Sequence, residues 1–420
     1  MKVLFAFENA LPSTEADAEV FITTARYLTP LVSQSWLHVP TLDPAATTAL
    51  VDLPVVRAYA PIRPAALRHF CCGLTLVFRR EFRQADLIYT RNLWIAWMTI
   101  LFRQRVAFDH YRPWPSQIPP LQALIYRLMS NSGFLVNICH SEYTRDEYLK
   151  IGVATDKLHC VRNGFEPQRL KHFITVVAAK EEIGVSGSQA TVIYTGRLNH
   201  KKGLEFVIEA AKQLPNLMFL LVGSQENGSI ETLASSVRNI RVVPWQPSEK
   251  IGQYIFAADV LLIPPSSKPL AQFGSTVLPL KLFLYMASGR PVLAGDTADV
   301  REVLRHQENA FLCRPDCLES LVSGLTELTQ NKAFAARLAA SALADSQELT
   351  WSARAKRIHE ILVCRLQSST EAHSQWNRNQ NRAWINQSWR WLVHLVRSRS
   401  WILPARVETS AGSHQSNERH

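Results

Sequence analysis

From Met1 to about Phe165, short apolar runs alternate with longer amphipathic stretches. "KVLFAF", "LIYT", "VAF" and "FLVNIC" have the length and unbroken apolar character of strands buried on both faces. Between them, "AEVFITTARYLTPLV", "NLWIAWMTILFRQ" and "SEYTRDEYLKIG" repeat their apolar residues at helical spacing. Strands alternating with helices predict βαβ units and a parallel sheet, hence an α/β fold. In "HSEYTRDEYLKIG" Ser141 or Thr144 is placed to cap a helix, with Glu147 completing a capping box for Thr144 and Gly152 supplying the stop. "LHCVRNGFEP" closes this half as a strand ending on Asn163-Gly164.

After a loosely patterned stretch over 180–187 the alternation resumes. It runs through "TVIYTG", "GLEFVIEAAKQL", "LMFLLVG", "IRVVPW", "KIGQYIFAA", "DVLLIPP", "LPLKLFLYMASG" and "PVLAG" to "LESLVSGLTELTQN" and a helical segment from Ala333 to Gln347. Two successive Rossmann-like halves, 1–170 and 171–350, are the simplest architecture, with 351–366 as a helix crossing back to the first. Ligands in such folds bind beyond the carboxyl ends of strands. Past Leu366 the pattern breaks: 367–420 is polar and partly disordered in composition, yet carries five tryptophans. Over 382–403 tryptophans and aliphatics interleave with Arg390, Arg397 and Arg399, which suits a basic helix lying on an anionic membrane surface. A tail that packs on its own protein or nowhere is the plainer reading. A nucleic-acid contact, arginines on phosphates and tryptophans on bases, is a third; no recognised RNA module surrounds the segment.

Composition narrows the picture. At 420 residues the chain exceeds the size at which one core stops growing, and a net charge of +11 favours anionic partners: nucleic acid, a membrane surface or phosphorylated substrates. Seven scattered cysteines include no zinc spacing with a second ligand pair; Cys71-Cys72 and Cys313 with Cys317 stand alone, as reduced thiols of a cytosolic protein would. The apolar start, Val3 to Phe7, is too short for a signal peptide, and the longest apolar run, "LWIAWMTILF", is too short to span a bilayer.

The chemistry concentrates in "VIYTGRLNHKKGLEF". Gly196 lets the backbone turn sharply after a strand, Arg197 presents a fork for two phosphate oxygens, and Lys202 adds a compact charge. Such a pair suits a diphosphate; a solvated charge cluster at an ordinary turn is the alternative. Further on, Pro279 suits a first helical position, "LKLFLYMAS" reads as a buried helix, and Gly289 with Pro291 ends it. The N–H groups at that helix start would face an anion.

The ordered set "YTGRLNHKKGLEFVIEAAKQLPNLMFLLVG", "AADVLLIPPSS" and "LPLKLFLYMASGRPVLAG" resembles the C-terminal half of the retaining, nucleotide-sugar-dependent glycosyltransferases of family 4. "LIYTRN", "ICHSEYTRDEYLKIGV" and "VRNGFEP" are similar to their N-terminal half, so the resemblance covers roughly Met1 to Leu366. It implies the GT-B fold, two Rossmann-like domains with parallel sheets facing a central cleft. The implied activity is hexosyl transfer, of the kind used in polysaccharide biosynthesis, from a nucleotide-diphosphate sugar to a hydroxyl of a lipid or glycan acceptor, with configuration retained. Arg197 and Lys202 would hold the diphosphate, and since no D-x-D motif is visible, transfer is expected to need no metal and no cofactor. Gly196, Ser275, Leu280 and, at the region touching the base, Trp245 complete the donor side. The location implied is cytoplasmic, at the inner face of a membrane if the tail binds lipid.

The chain departs from the family in places. The family's E-x7-E motif, one glutamate for the sugar and one for the ribose, falls on Thr276 and Leu284, so both carboxylates are missing. A leucine accepts no hydrogen bond, and one lost charged hydrogen bond costs about 1.5–3 kcal/mol. A degenerate, non-catalytic GT-B binding or scaffold protein is therefore the second reading. Where relatives carry a glycine-rich turn, this chain has Asp17, which would repel a diphosphate and suits the acceptor side. In "VAFDHYRPWPSQIPP", Asp109 and His110, or Tyr111 with a one-residue shift, match the family's acidic residue and histidine near the reacting sugar; a structural histidine at a strand end is the alternative. Arg112 and Trp114 are placed to bind an anionic acceptor or stack on a sugar, and Arg91 to reach the cleft or to serve packing. Arg162, Asn163 and Gly164 fall at the crossing between the halves.

Overall fold

The computed structural model describes residues 1–373 apart from 14, 42, 44, 46, 48–54, 58–64, 172–173, 226–227 and 268–277. Ser275, Thr276 and the segment 382–403 therefore lie outside the described residues. Among the described residues the strands form two sheets, and every pairing in them is parallel.

The first sheet holds β1 (Lys2–Ala6), β2 (Gln34–His38), β3 (Val55–Arg57), β4 (Leu87–Thr90), β5 (Val106–His110), β6 (Phe134–Cys139) and β7 (Leu158–Cys160). The second holds β8 (Thr191–Thr195), β9 (Met218–Ser224), β10 (Ile240–Pro244), β11 (Val260–Leu262), β12 (Val292–Gly295) and β13 (Phe311–Cys313). Their orders are β3-β2-β1-β4-β5-β6-β7 and β10-β9-β8-β11-β12-β13. In each sheet the chain starts in the middle, winds to one edge, and returns to wind to the other. The order reverses between β1 and β4 and between β8 and β11, and that reversal opens a crevice at the strands' carboxyl ends. The predicted α/β fold is present, as two doubly wound parallel sheets.

Helices cover both faces of each sheet, which is why the strands read as unbroken apolar runs. On one face of the first sheet, Val3, Phe5, Leu87 and Tyr89 pack against the helix Ala16–Leu28 through Phe21 and Ala25. The same core takes in Ala355, Ile358, Ile361 and Leu362 from the long helix Trp351–His373. Past the second sheet, then, the chain returns to finish the core of the first. It does so where Phe165 bridges Thr350, and Gly164 permits the crossing: a Cβ there would lie 2.4 Å from the Thr350 carbonyl carbon.

Local signals resolve in detail. Ser141, not Thr144, caps the helix Glu142–Lys150, its hydroxyl accepting the Thr144 N–H; Glu147 pairs with Lys150 instead of closing a capping box. Thr144 lies within the first turn of that helix, and its hydroxyl donates to the Tyr111 carbonyl at 2.9 Å. Pro279 is the extended residue before the helix Leu280–Met286 rather than its first turn, with ψ 134. No helix among the described residues is long and apolar enough to cross a membrane.

Candidate functional site

A cleft of about 680 Å³ opens between the carboxyl ends of the two sheets. Its floor on the first sheet's side comes from the helix Ala16–Leu28, through Glu19, Ile22 and Arg26; its other wall comes from the ends of β8, β9 and β10 and from the helix Leu280–Met286. Gly196, Arg197, Trp245, Leu280 and Leu284 all line it.

The turn after β8 is built around an atom that a side chain would displace. Gly196 adopts φ +130, and a Cβ on it would sit 2.7 Å from the Nζ of Lys281, also a lining residue. Gly223 backs the same turn, since its Cβ would meet the Gly196 carbonyl oxygen at 2.6 Å. These two glycines let a lysine from one element lie against the backbone of another. The Lys281 ammonium rests 3.6 Å from the centre of the Tyr194 ring, a cation–π contact. Desolvation, and next the charge of Lys202, push its pKa well below that of an ordinary lysine.

Three cations thus converge beside Gly196. Arg197 is exposed and reaches across the cleft to Glu15, 3.0 Å away, the residue that precedes the helix Ala16–Leu28. Lys202 stands behind the cleft lining, in the short turn His200–Lys202; desolvation, then Arg197 and Lys201, lower its pKa. That turn immediately precedes the helix Leu204–Gln213, whose first turn carries Glu205, an acid that offsets the cations at this positive helix end. Such a cluster, partly withdrawn from water and repelling itself, is poised to bind a polyanion.

The predicted residues of the first half gather elsewhere. Asp109 is fully buried: its carboxylate accepts from Tyr89 at 2.6 Å and His140 at 2.5 Å, and receives Arg354 of the long terminal helix at 2.9 and 3.0 Å. Burial alone would raise its pKa, but Arg354 and His140 outweigh it and keep the carboxylate ionised well below the usual range. Asp109 therefore has no free face for a substrate; it is the anchor for the crossing helix.

His110 beside it is buried and uncharged. Its Nδ1 accepts the Arg112 N–H at 2.8 Å, so the neutral ring carries its proton on Nε2; burial and then Arg91 hold its pKa well below normal. Tyr111 and Trp114 pack on this ring at 4.9 and 5.1 Å, and the Arg112 guanidinium covers both aromatics. Arg91 is buried, donates to the Asp17 carbonyl at 2.8 Å and lies over Tyr111; it stitches β4 to the first helix. The Asp17 carboxylate accepts from Asn9 at 2.8 Å. None of Asp17, Arg91, His110, Arg112 and Trp114 lines the cleft, although all stand at the carboxyl ends of β1, β4 and β5.

Leu284 is buried at 7% exposure in the cleft wall, where the resemblance places a ribose-holding carboxylate. The segment that follows β10 adds the polar residues Gln246, Ser248 and Glu249 to the lining of the same cleft. Sequence reasoning passed over Glu249 and Lys281. A single lysine in the otherwise apolar "LPLKLFLYM" was the available signal for the second.

Residues 189–331 match the family model of the glycosyl transferases group 1. Among curated proteins, the amylovoran biosynthesis glycosyltransferase AmsK of Erwinia amylovora is 21% identical over 278 residues, 64% of this chain and 61% of that protein. The putative teichuronic acid biosynthesis glycosyltransferase TuaH of Bacillus subtilis is 28% identical over 160 residues, 37% of this chain. The chain thus spans about 61% and 38% of these relatives' lengths. Among solved structures, HepE of Anabaena in complex with UDP and glucose superposes with a TM-score of 0.68 at 19% identity, covering 87% of this chain and all of that one. Sucrose-phosphate synthase of Thermosynechococcus elongatus gives 0.67 at 16%, covering 87% of this chain and 99% of that one. The chain has the GT-B fold, and the residues that form most of its second half are similar to the glycosyl transferases group 1.

Proposed function

We propose that the protein transfers a hexosyl group from a nucleotide-diphosphate sugar to a hydroxyl of a lipid or glycan, with the donor's diphosphate seated on Arg197, Lys202 and Lys281. The observation that carries this reading is the convergence of three cations at a glycine turn, at the mouth of a cleft between two sheets. In the transfer, the bond between the anomeric carbon and the β-phosphate oxygen breaks and the electron pair leaves with the nucleotide, while the acceptor hydroxyl oxygen bonds to the anomeric carbon and its proton passes to the departing phosphate oxygen. Preplaced cations stabilise that growing charge, which is the work a metal does in other transferases. The solved HepE structure with UDP and glucose supports a nucleotide-sugar donor for this fold.

Trp245, 54% exposed, offers a face for the base, and Gln246, Ser248 and Glu249 stand in for the missing ribose carboxylate. His110, with its proton on Nε2, donates a hydrogen bond to the transferred sugar. Retention of configuration belongs to the same proposal.

The test is titration with UDP- and GDP-sugars of wild type, Arg197→Ala, Lys202→Ala and Lys281→Met. Each loss of a cation is expected to weaken binding about ten- to a hundredfold. Equal binding by wild type and the Arg197→Ala/Lys202→Ala pair would sink the donor reading. A second reading keeps the fold and the nucleotide but drops the chemistry, and the apolar Leu284 in the cleft wall favours it. Sugar transfer or donor hydrolysis that disappears in His110→Ala excludes it.

A further inference from the structure

The helix Ala65–Val77 packs on the first sheet opposite the core shared with the crossing helix. Cys72, Leu76 and Val77 face inward, joined by Phe82, Ile88 and Ile95. Gly73 lies against the neighbouring helix Leu93–Leu101, where a Cβ would come 3.2 Å from Met98. The outward face is also apolar. Leu67, Phe70 and Leu74 follow one another at three and four residues, and Phe78 continues the stripe one turn on, just past the helix end. Phe78 is 73% exposed and the other three between 37 and 46%. The neighbouring helix adds Trp94 and Phe102 at 39 and 47%. A soluble monomer rarely exposes so many large apolar side chains on one pair of helices.

We propose that this face docks on an anionic lipid bilayer, with the apolar stripe in the acyl boundary and arginines at the headgroups. Charge selects the partner. The segment 65–84 carries Arg68, Arg79, Arg80 and Arg83 against a single acid, Glu81, and Arg103 and Arg105 follow the second helix. A second copy of the chain would set arginines against arginines, and the chain's own 382–403 segment is likewise basic. An anionic bilayer satisfies both the stripe and its rim, each arginine near it contributing about 1 kcal/mol. This docking is independent of the donor site, whose nucleotide binding is read separately.

The experiment is flotation of the full-length protein with phosphatidylcholine vesicles, with and without phosphatidylglycerol, at low and high salt. Wild type is expected to float with the anionic vesicles and about tenfold less with neutral ones or at high salt. Phe70→Asp/Leu74→Asp/Phe78→Asp is expected to lower that partition at least about tenfold while leaving UDP binding intact. If the triple variant melts early, Phe78→Asp, beyond the helix and mostly in water, carries the test with a loss of about threefold or more. Flotation of either folded variant at the wild-type level overturns the proposal, as does wild type that stays with the soluble fraction. Lipid-free self-association that the triple variant abolishes overturns it in favour of a second copy.

Discussion

An ammonium that has lost part of its water and faces a second lysine gives up its proton more readily than one on the surface. That is the position of Lys281, and it sets a pH signature for ligand binding. A diphosphate favours the charged form, so affinity should be full below the lowered pKa and fall as pH rises through it, earlier than an ordinary lysine would dictate. Lys281→Arg, charged at every accessible pH, should flatten this fall. UDP titrations from neutral to alkaline pH decide the matter, and identical slopes for the two proteins would refute the role. A histidine gives the opposite window. Burial, against the pull of Asp109, lowers His140 from 6.5 to about 4. Between those values the unfolded chain binds the extra proton, so stability falls as the solution is acidified, by up to about 1.4 kcal/mol per pH unit. His110 acts in the same direction, and Asp109, whose pKa the fold depresses, adds to the fall as the pH nears its unfolded value of 3.8. Urea midpoints that stay level from pH 7 to about 5 would contradict this. Arg197 and the turn at Gly196 were legible at this scale because a glycine, a fork and a lysine in one short stretch have few other uses. Asp109 was not: its carboxylate looked available until Arg354, 245 residues away, occupied it.

At the scale of elements, Arg354 ties the helix Trp351–His373 to β5 and also donates to the carbonyls of Val161 and Arg162. Arg354→Met leaves a buried carboxylate without its cation and should cost about 3–5 kcal/mol in denaturant unfolding. Asp109→Asn added to it should return part of that loss, because the uncompensated charge is gone. A single-variant cost below about 1 kcal/mol would show the pair to be dispensable. The longer strands and amphipathic helices were readable because parallel sheets covered on both faces demand unbroken apolar runs. β2, β3 and β13 were missed for a matching reason: "QSWLH", "VVR" and "FLC" are three to five residues long and lack a strong apolar run. The helix Ala65–Val77 was missed because Leu67, Phe70 and Leu74 make part of its outward face apolar, which narrows the polar stripe to Arg68, His69 and Thr75.

For the whole molecule, three side-chain links hold the walls of the cleft together. Arg197 meets Glu15, Arg169 meets Glu19 at 2.6 Å, and Glu302 accepts the N–H groups of Glu142 and Tyr143 at 2.8 and 3.0 Å. The last caps a helix of the first half with a carboxylate from the second. Glu302→Ala should lose a cap of about 0.5–2 kcal/mol and speed amide exchange in the peptide containing Glu142 and Tyr143. Exchange unchanged by the substitution would mean that the capped state is rarely populated. Glu15 competes with a diphosphate for Arg197, so Glu15→Gln should tighten UDP binding a few-fold in the same titration. None of these links was legible, since each pairs residues distant in the chain.

The crossing helix also has a consequence for the order in which the protein is made. The first sheet leaves the ribosome complete in its strands, but its core still lacks Ala355, Ile358, Ile361 and Leu362, and Asp109 is without its cation, because the crossing helix is still unsynthesised. Arg354 arrives 245 residues after Asp109, behind the entire second sheet. The first half should therefore wait, partly folded and sticky, as a client of chaperones, and complete itself only after the second half has folded. A chain stopped at residue 350 is expected to aggregate where one carried through residue 373 remains soluble.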